Sequence, residues 1–260
     1  LKKMEILTEH RNGVMQITLN RPEVYNSFNR TMALQMQASL NEAAANESVR
    51  AVVITGSGKA FCAGQDLAEA IDPEGPGLER ILAEHYNPII QQIVALPKPV
   101  VALVNGVAAG AGANIALACD VVIAHEQASF IQAFSKIGLI PDSGGTYFLP
   151  RLIGAQKALA LMLTGDKVSA KEAEALNMIY KAVEAETYET FTADFMSKLA
   201  LMPTRALALT KKAVQESWNN TLSEQLNLEL ALQVEAGNTE DFKEGVQAFL
   251  DKRKPNFTGK

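Results

Sequence analysis

The chain has 260 residues, of which 48% are hydrophobic and 20% charged, with a formal net charge of −5. That length allows one large or two small packed units, and the acidic balance argues against a protein that coats nucleic acid or an anionic membrane surface. No apolar run reaches the roughly 18 residues of a membrane-spanning helix, and "LKKMEILTEH" lacks the apolar stretch and cleavage site of a secretory signal. Cys62 and Cys119 sit in apolar contexts, which points to free thiols in a reducing, cytoplasmic compartment.

"EILTEHRNGVMQITLN" reads as a β-hairpin: Asn12-Gly13 is the turn, and Met15, Ile17 and Leu19 alternate with polar residues. A helix is expected from about Arg30, with Met32, Met36 and Leu40 on one stripe. "VRAVVITGSG" and "KPVVALVNG" each run from a buried strand into a glycine loop, and "DVVIAHEQASFIQA" supplies one or two further strands. Helical stretches are expected over 78–95, 111–118 and 144–163. This recurrence of strand, small-residue loop and helix argues for α/β packing. Beyond Leu163 the chain turns mostly helical: Ser169-x-x-Glu172 and Thr221-x-x-Glu224 are capping boxes, and Phe242, Val246, Phe249 and Leu250 form an amphipathic face. The tail "DKRKPNFTGK" is basic and expected to be exposed.

Two loops carry the chemistry: "GKAFCAGQDLAEA" (58–70) and "VNGVAAGAGANIALACD" (104–120). Each joins an apolar strand to a helix, where small residues let a ligand approach and the first-turn N–H groups are unpaired. A dinucleotide fingerprint fails because Ile115 stands where the third glycine belongs. Two readings remain at this level: each loop aims one backbone N–H at a shared oxygen, or both loops merely let helix and strand pack closely. His10, His85 and His125 are scattered, so no metal site is expected, and no G-x-S-x-G elbow is present. Cys62 lacks a basic or histidine neighbour, and Asp66 and Asp120 flank helices as caps. In "SKIGLIPDSGGTYFLP", Asp142 is the single acid of an apolar, small-residue run. It is either a helix cap or a general acid/base in a water-poor setting.

The segments "LNRPEVYNSF", "GKAFCAGQDL", "KPVVALVNGVAAGAGANIALACD", "GLIPDSGGTYFLPRLIG", "LTGDKVSAKEA" and "EGVQAFLDKRKPNF" run through nearly the whole chain. Together they resemble the enoyl-CoA hydratase/isomerase (crotonase) superfamily. The resemblance implies a spiral of ββα turns over residues 1–200, and a helical C-terminal trimerisation region over 201–260. It further implies a homotrimer or dimer of trimers acting on an acyl-CoA thioester, with neither nucleic acid nor membrane as partner. No cofactor is implied, since CoA is part of the substrate.

By motif position the thioester oxygen would sit between the N–H groups of Gln65 and Ala111. Val24, Ala63, Asp66 and Leu67 would line the CoA, and the acyl pocket would include Asn114, Phe134 and residues from 68–90. Where some relatives place a phosphate-reaching lysine after "NRP" this chain has Glu23, so Lys252 and Lys254 become the candidate phosphate contacts. Hydratases of the family use two glutamates, at positions that hold Asn114 and Phe134 here. That leaves Asp142 as a single base and acid, which is isomerase chemistry. Within the superfamily, "FSKIGLIPDSGGTYFLPR", "NGVAAGAGA" and the ending "FTGK" most resemble the branch that isomerises 1,2-epoxyphenylacetyl-CoA to oxepin-CoA. The alternatives are a Δ3,Δ2-enoyl-CoA or dienoyl-CoA isomerase, a hydratase, a dehalogenase with an aspartate nucleophile, or an RNA-binding member. The last would need a basic helix, and residues 30–46 carry one arginine and no lysine.

Overall fold

The structure, a computed structural model, describes residues 4–260. β1 (Ile6–Arg11) and β2 (Val14–Leu19) form the antiparallel hairpin, turned by Asn12 and Gly13 at φ 50° and 79°. α1 (Arg30–Ala45) starts at Asn29, whose side chain accepts the N–H of Met32. The expected stripe of Met32, Met36 and Leu40 is buried.

From there the chain alternates between two sheets. β3 (Ala51–Gly56), β5 (Val100–Val104) and β7 (Val121–His125) continue the hairpin sheet in parallel. Each is followed within three residues by a short strand of a second sheet: β4 (Ala60–Cys62), β6 (Val107–Ala109) and β8 (Ser129–Ile131). The corners between sheets are crowded by backbone. A Cβ on Gly56 would lie 2.3 Å from the Ala60 oxygen, and one on Gly106 would lie 2.1 Å from the Lys59 oxygen. Asn105 stitches neighbouring corners together, its Oδ1 accepting from Gly56 N and its Nδ2 donating to the Gly58 oxygen.

Helices fill the returns. α2 (Leu67–Ala70) and α3 (Gly77–Arg80) precede a π-helical turn over 81–86, which runs directly into α4 (Asn87–Ala95). The helix expected over 78–95 is therefore a composite with an over-wide middle. α5 (Ala111–Leu117) lies where a helix over 111–118 was expected. The helix expected over 144–163 is two, α6 (Gly145–Ile153) and α7 (Ala155–Thr164), broken at Gly154 with φ 81°. "DVVIAHEQASFIQA" supplies two strands, not one.

The last third is less purely helical than its pattern. β9 (Lys167–Ser169) closes the second sheet, and β10 (Lys181–Val183) adds the edge of the first beside β7. Both capping boxes form, at α8 (Ala170–Ala175) and α11 (Leu222–Gly237). α9 (Ala185–Ala200), α10 (Thr204–Glu216) and α12 (Glu240–Leu250) complete the chain. Phe242, Val246, Phe249 and Leu250 do share α12, yet all four are exposed on this chain. The tail is mostly exposed as expected but is not free. Buried Asp241 accepts the N–H groups of Thr258 and Gly259, and Arg253 pairs with Glu244.

Candidate active site

Residue 65 follows β4 in an extended turn held against Phe28. The Phe28 N–H donates to the Gly64 oxygen (2.7 Å), and the Asp66 N–H donates to the Phe28 oxygen (2.8 Å). Successive N–H groups of an extended chain point to opposite sides, so the Gln65 N–H faces away from Phe28. Gly64, at φ +95°, packs on the loop before α5: a Cβ there would stand 3.0 Å from the Ala109 oxygen and 3.4 Å from Ala111 N. Ala111 is the first residue of α5, so its N–H has no acceptor within the helix. Among the described residues, neither the Gln65 nor the Ala111 N–H has a hydrogen-bond acceptor. Two unpaired donors thus lie on adjoining loops.

The Gln65 side chain is fixed from the far side of the loop. Its Oε1 accepts from the Tyr86 hydroxyl (2.9 Å), and its Nε2 donates to Glu69 (3.0 Å), whose other oxygen accepts the Arg30 N–H. Burial holds the Tyr86 phenol well above its usual range, with Cys62, Asp142, Glu69 and Asp66 adding to the rise. It is a neutral donor near these carboxylates. Asp66 caps α2 as expected and also pairs with Arg21 at 2.9 Å. Asp120 does not cap: it accepts the Val100 N–H and pairs with Lys211 of α10. The chain passes from α5 straight into β7 at Asp120, so no helix N-terminus follows for it to cap.

Asp142 lies between a 3-10 turn (133–137) and α6. The cap reading fails, because Gly144 occupies the N-cap of α6 and the Asp142 carboxylate receives no N–H from that helix. Instead its Oδ1 accepts from the Ser143 hydroxyl at 2.9 Å. Burial raises its pKa above the ordinary carboxylate value, against the opposing pull of the Ser143 hydrogen bond. A carboxylate held this way exchanges a proton closer to neutral pH than a surface aspartate does.

The remaining candidates surround these groups unequally. Phe134 is buried, with its ring 3.8 Å from where a Gly110 Cβ would be. Asn114 is fully buried in α5, with both ends of its amide engaged. Val24 and Leu67 are exposed, and the Ala63 N–H donates to the Tyr25 oxygen, bringing the "NRP" loop beside 63–67. Lys252 and Lys254 are exposed beyond α12, and among the described residues no hydrogen bond or ion pair joins them to that loop. Cys62 is buried with its thiol pushed up to about 12, so it is inert as a nucleophile.

Four residues that the sequence reading missed support the site: Arg21, Asn26, Tyr86 and Gln132. Asn26, at φ 56° and fully buried, accepts the Arg21 N–H and donates to the Ser57 and Ala60 oxygens. Arg21 and Asn26 lie within "NRPEVYNSF", whereas Tyr86 and Gln132 meet their partners Gln65 and Asn114 from far away in the chain.

The enoyl-CoA hydratase/isomerase family matches residues 9–260. A 1,2-epoxyphenylacetyl-CoA isomerase of Escherichia coli K12 is 46% identical, covering 99% of this chain and 100% of its own. A Rhodobacter capsulatus protein named "Probable enoyl-CoA hydratase" is 48% identical, covering 97% of each chain. The crystal structure of an enoyl-CoA hydratase from Bacillus anthracis superposes with a TM-score of 0.94 at 32% identity, over 99% of this chain and 100% of that one. The alternating sheets, the helical C-terminal region and the paired glycine loops are therefore a crotonase fold, and the chain belongs to the enoyl-CoA hydratase/isomerase superfamily, as an enzyme of acyl-CoA thioesters.

Proposed function

We propose that the enzyme isomerises 1,2-epoxyphenylacetyl-CoA to oxepin-CoA, using Asp142 as base and acid and the Gln65 and Ala111 N–H groups as an oxyanion hole. The observation that carries this reading is the carboxylate inventory. Asp142 is half-buried with a raised pKa, whereas positions 114 and 134 hold an amide and a phenyl ring. Glu69 is occupied by Gln65 and Arg30, and Asp66 by Arg21. The ring carbon–carbon bond shared with the epoxide breaks as the ring double bonds shift, which carries the epoxide oxygen into a seven-membered ring. Asp142 takes a proton from C2, the charge moves onto the thioester oxygen between the two donors, and the same proton returns to a ring carbon as the double bond beside the thioester forms. The formula is unchanged, so no water, oxidant or separate cofactor is consumed. The isomerase of E. coli at 46% identity supports the aromatic substrate.

Val24, Ala63, Asp66 and Leu67 are assigned to the CoA in this reading, and Phe134 to the acyl pocket. The exposed Leu226, Leu230 and Val234 on α11, with Phe242, Val246, Phe249 and Leu250 on α12, support assembly into the homotrimer or dimer of trimers. The relative named as a hydratase favours a second reading, water addition. That reaction needs a second proton-transfer group, which Asn114 and Phe134 do not supply.

The test presents three substrates. A cis-3-enoyl-CoA is expected to gain conjugated enoyl-thioester absorbance, and the aromatic epoxide is expected to convert. A trans-2-enoyl-CoA is expected to keep its absorbance. Conversion of the cis-3-enoyl-CoA alone would reassign the enzyme as a Δ3,Δ2-enoyl-CoA isomerase, and loss of the trans-2 absorbance would make it a hydratase. Ser143→Ala adds a pH test. Its hydroxyl stabilises the ionised Asp142, so removing it raises that pKa further. The acid limb of the kcat/KM profile is expected to move to higher pH, and a limb that stays in place or moves down contradicts the assignment.

A further inference from the structure

We propose that Asn114 and Gln132 form a relay that positions Asp142, so that α5 sets both the oxyanion hole and the base. The inference rests on the assignment of Asp142 above. Asn114 Nδ2 donates to the Asp142 carbonyl oxygen at 2.8 Å, and Asn114 Oδ1 accepts from Gln132 Nε2 at 2.8 Å. Asn114 and Gln132 are both buried. The Asp142 carbonyl can only accept, so it dictates which end of the Asn114 amide faces it. The other end then dictates the sense of Gln132. That leaves Gln132 Oε1 buried without a partner among the described residues. A buried acceptor without a partner is unfavourable, and here it falls at the end of the hydrogen-bond chain remote from Asp142.

The geometry around the relay has one purpose in common. The Gly145 N–H donates to the same Asp142 oxygen at 2.8 Å, so two donors hold that carbonyl. Gly145 is also the residue that makes room for Asn114, because a Cβ there would lie 2.3 Å from Asn114 Nδ2. Ser143, at φ 50°, secures the carboxylate from the other side. The loop needs such anchors, since Gly138, Leu139 and Ile140 before it are exposed. Asn114 stands three residues after Ala111, one turn along the same helix. Any shift of α5 therefore moves hole and base together, and their separation is kept. A base that must meet two carbons in turn loses much of its rate when misplaced by about 1 Å. Asn114 touches no reacting atom in this account and is a positioning residue.

The experiment compares Asn114→Ala, Gln132→Met and Asp142→Asn in the full-length enzyme, reading kcat and KM with a cis-3-enoyl-CoA. Dissociation constants for saturated butyryl-CoA are measured in parallel. Asn114→Ala is expected to lower kcat at least tenfold, with butyryl-CoA affinity within twofold of wild type. Gln132→Met, which removes the orphan oxygen but also the donor to Asn114 Oδ1, is expected to lower kcat two- to fivefold. A kcat within twofold of wild type for Asn114→Ala overturns the relay, and so does a fall in butyryl-CoA affinity matching the fall in kcat. Should Asn114→Ala not fold, Gln132→Met decides, and an unchanged kcat in that variant overturns the relay. An inactive Asp142→Asn beside a fully active Asn114→Ala removes the relay and leaves the base in place. A fully active Asp142→Asn removes the base and the relay with it.

Discussion

Asp142→Asn is expected to lower kcat for double-bond migration by about 10²–10⁴-fold, the usual contribution of a general acid/base. Among the described residues around Gln65, the other candidate groups are ill suited to take over the proton. Cys62 has its thiol pushed up to about 12, and His85 is buried with a lowered pKa and its Nε2 against Arg30. Glu69 and Asp66 are held by their own partners. KM is expected to change little, because asparagine keeps the shape and its Oδ1 still accepts from Ser143. Stability supplies an independent check. The folded-state pKa of Asp142 is raised, so its ionisation works against the fold, and that penalty appears as pH rises through the titration of this group. A neutral amide escapes the penalty, and the variant is expected to melt at or above the wild-type temperature at neutral pH. A variant that is both active and less stable would return Asp142 to a structural role.

The difference between what was legible in the chain and what was not follows from range. The Asn12-Gly13 hairpin, the Met32–Met36–Leu40 stripe and the two capping boxes are set by neighbours within a few residues, and each stands where its pattern placed it. The two glycine loops were equally plain, because glycine at a strand–helix junction marks a close approach whatever approaches. β4, β6, β8, β9 and β10 have three residues each, too few to show a period of two. The π-helical turn has no sequence signature at all. It nonetheless places the Tyr86 hydroxyl on Gln65.

Asp142 shows the limit most sharply. Proline before it and glycines after it read first as a capped helix start, and only beside the family resemblance as a poised carboxylate. Gly144 at the N-cap removes the first of these, and Asn114, a residue far back in the chain, holds the Asp142 carbonyl. Read along the sequence, Asn114 was the absence of a glutamate and a candidate lining of the acyl pocket. In the folded chain an ionised glutamate there would offer the Asp142 carbonyl no donor, whereas the amide offers one. The exposed apolar face of α12 illustrates the converse. Its periodicity identified the helix correctly, but periodicity says nothing about whether the same chain or another one covers that face.

Gly112→Ala is expected to cost as much as losing one oxyanion donor, about 10²–10³ in kcat or about 3–4 kcal/mol, without touching any acid or base. Gly112 is the second residue of α5, and a Cβ on it would lie 2.4 Å from the Cys62 oxygen and 2.8 Å from the Cys62 sulfur. The sulfur could swing aside, but the oxygen belongs to β4, which is paired with β6. The helix must therefore move, and Ala111, one residue earlier, moves with it away from Gln65. Intrinsic propensity predicts the reverse sign, because alanine in a helix interior is favoured over glycine by about 1 kcal/mol. The two expectations separate cleanly by melting temperature and kcat measured on the same sample. A drop in both says that contact between α5 and β4 sets the spacing of the two N–H groups. A more stable enzyme with full activity would mean that the Ala111 N–H is not a donor to the substrate, and the search for the second donor would pass to other N–H groups near Gln65. Cys62→Ala in the same background is expected to restore little, since it clears the sulfur and leaves the carbonyl oxygen in place.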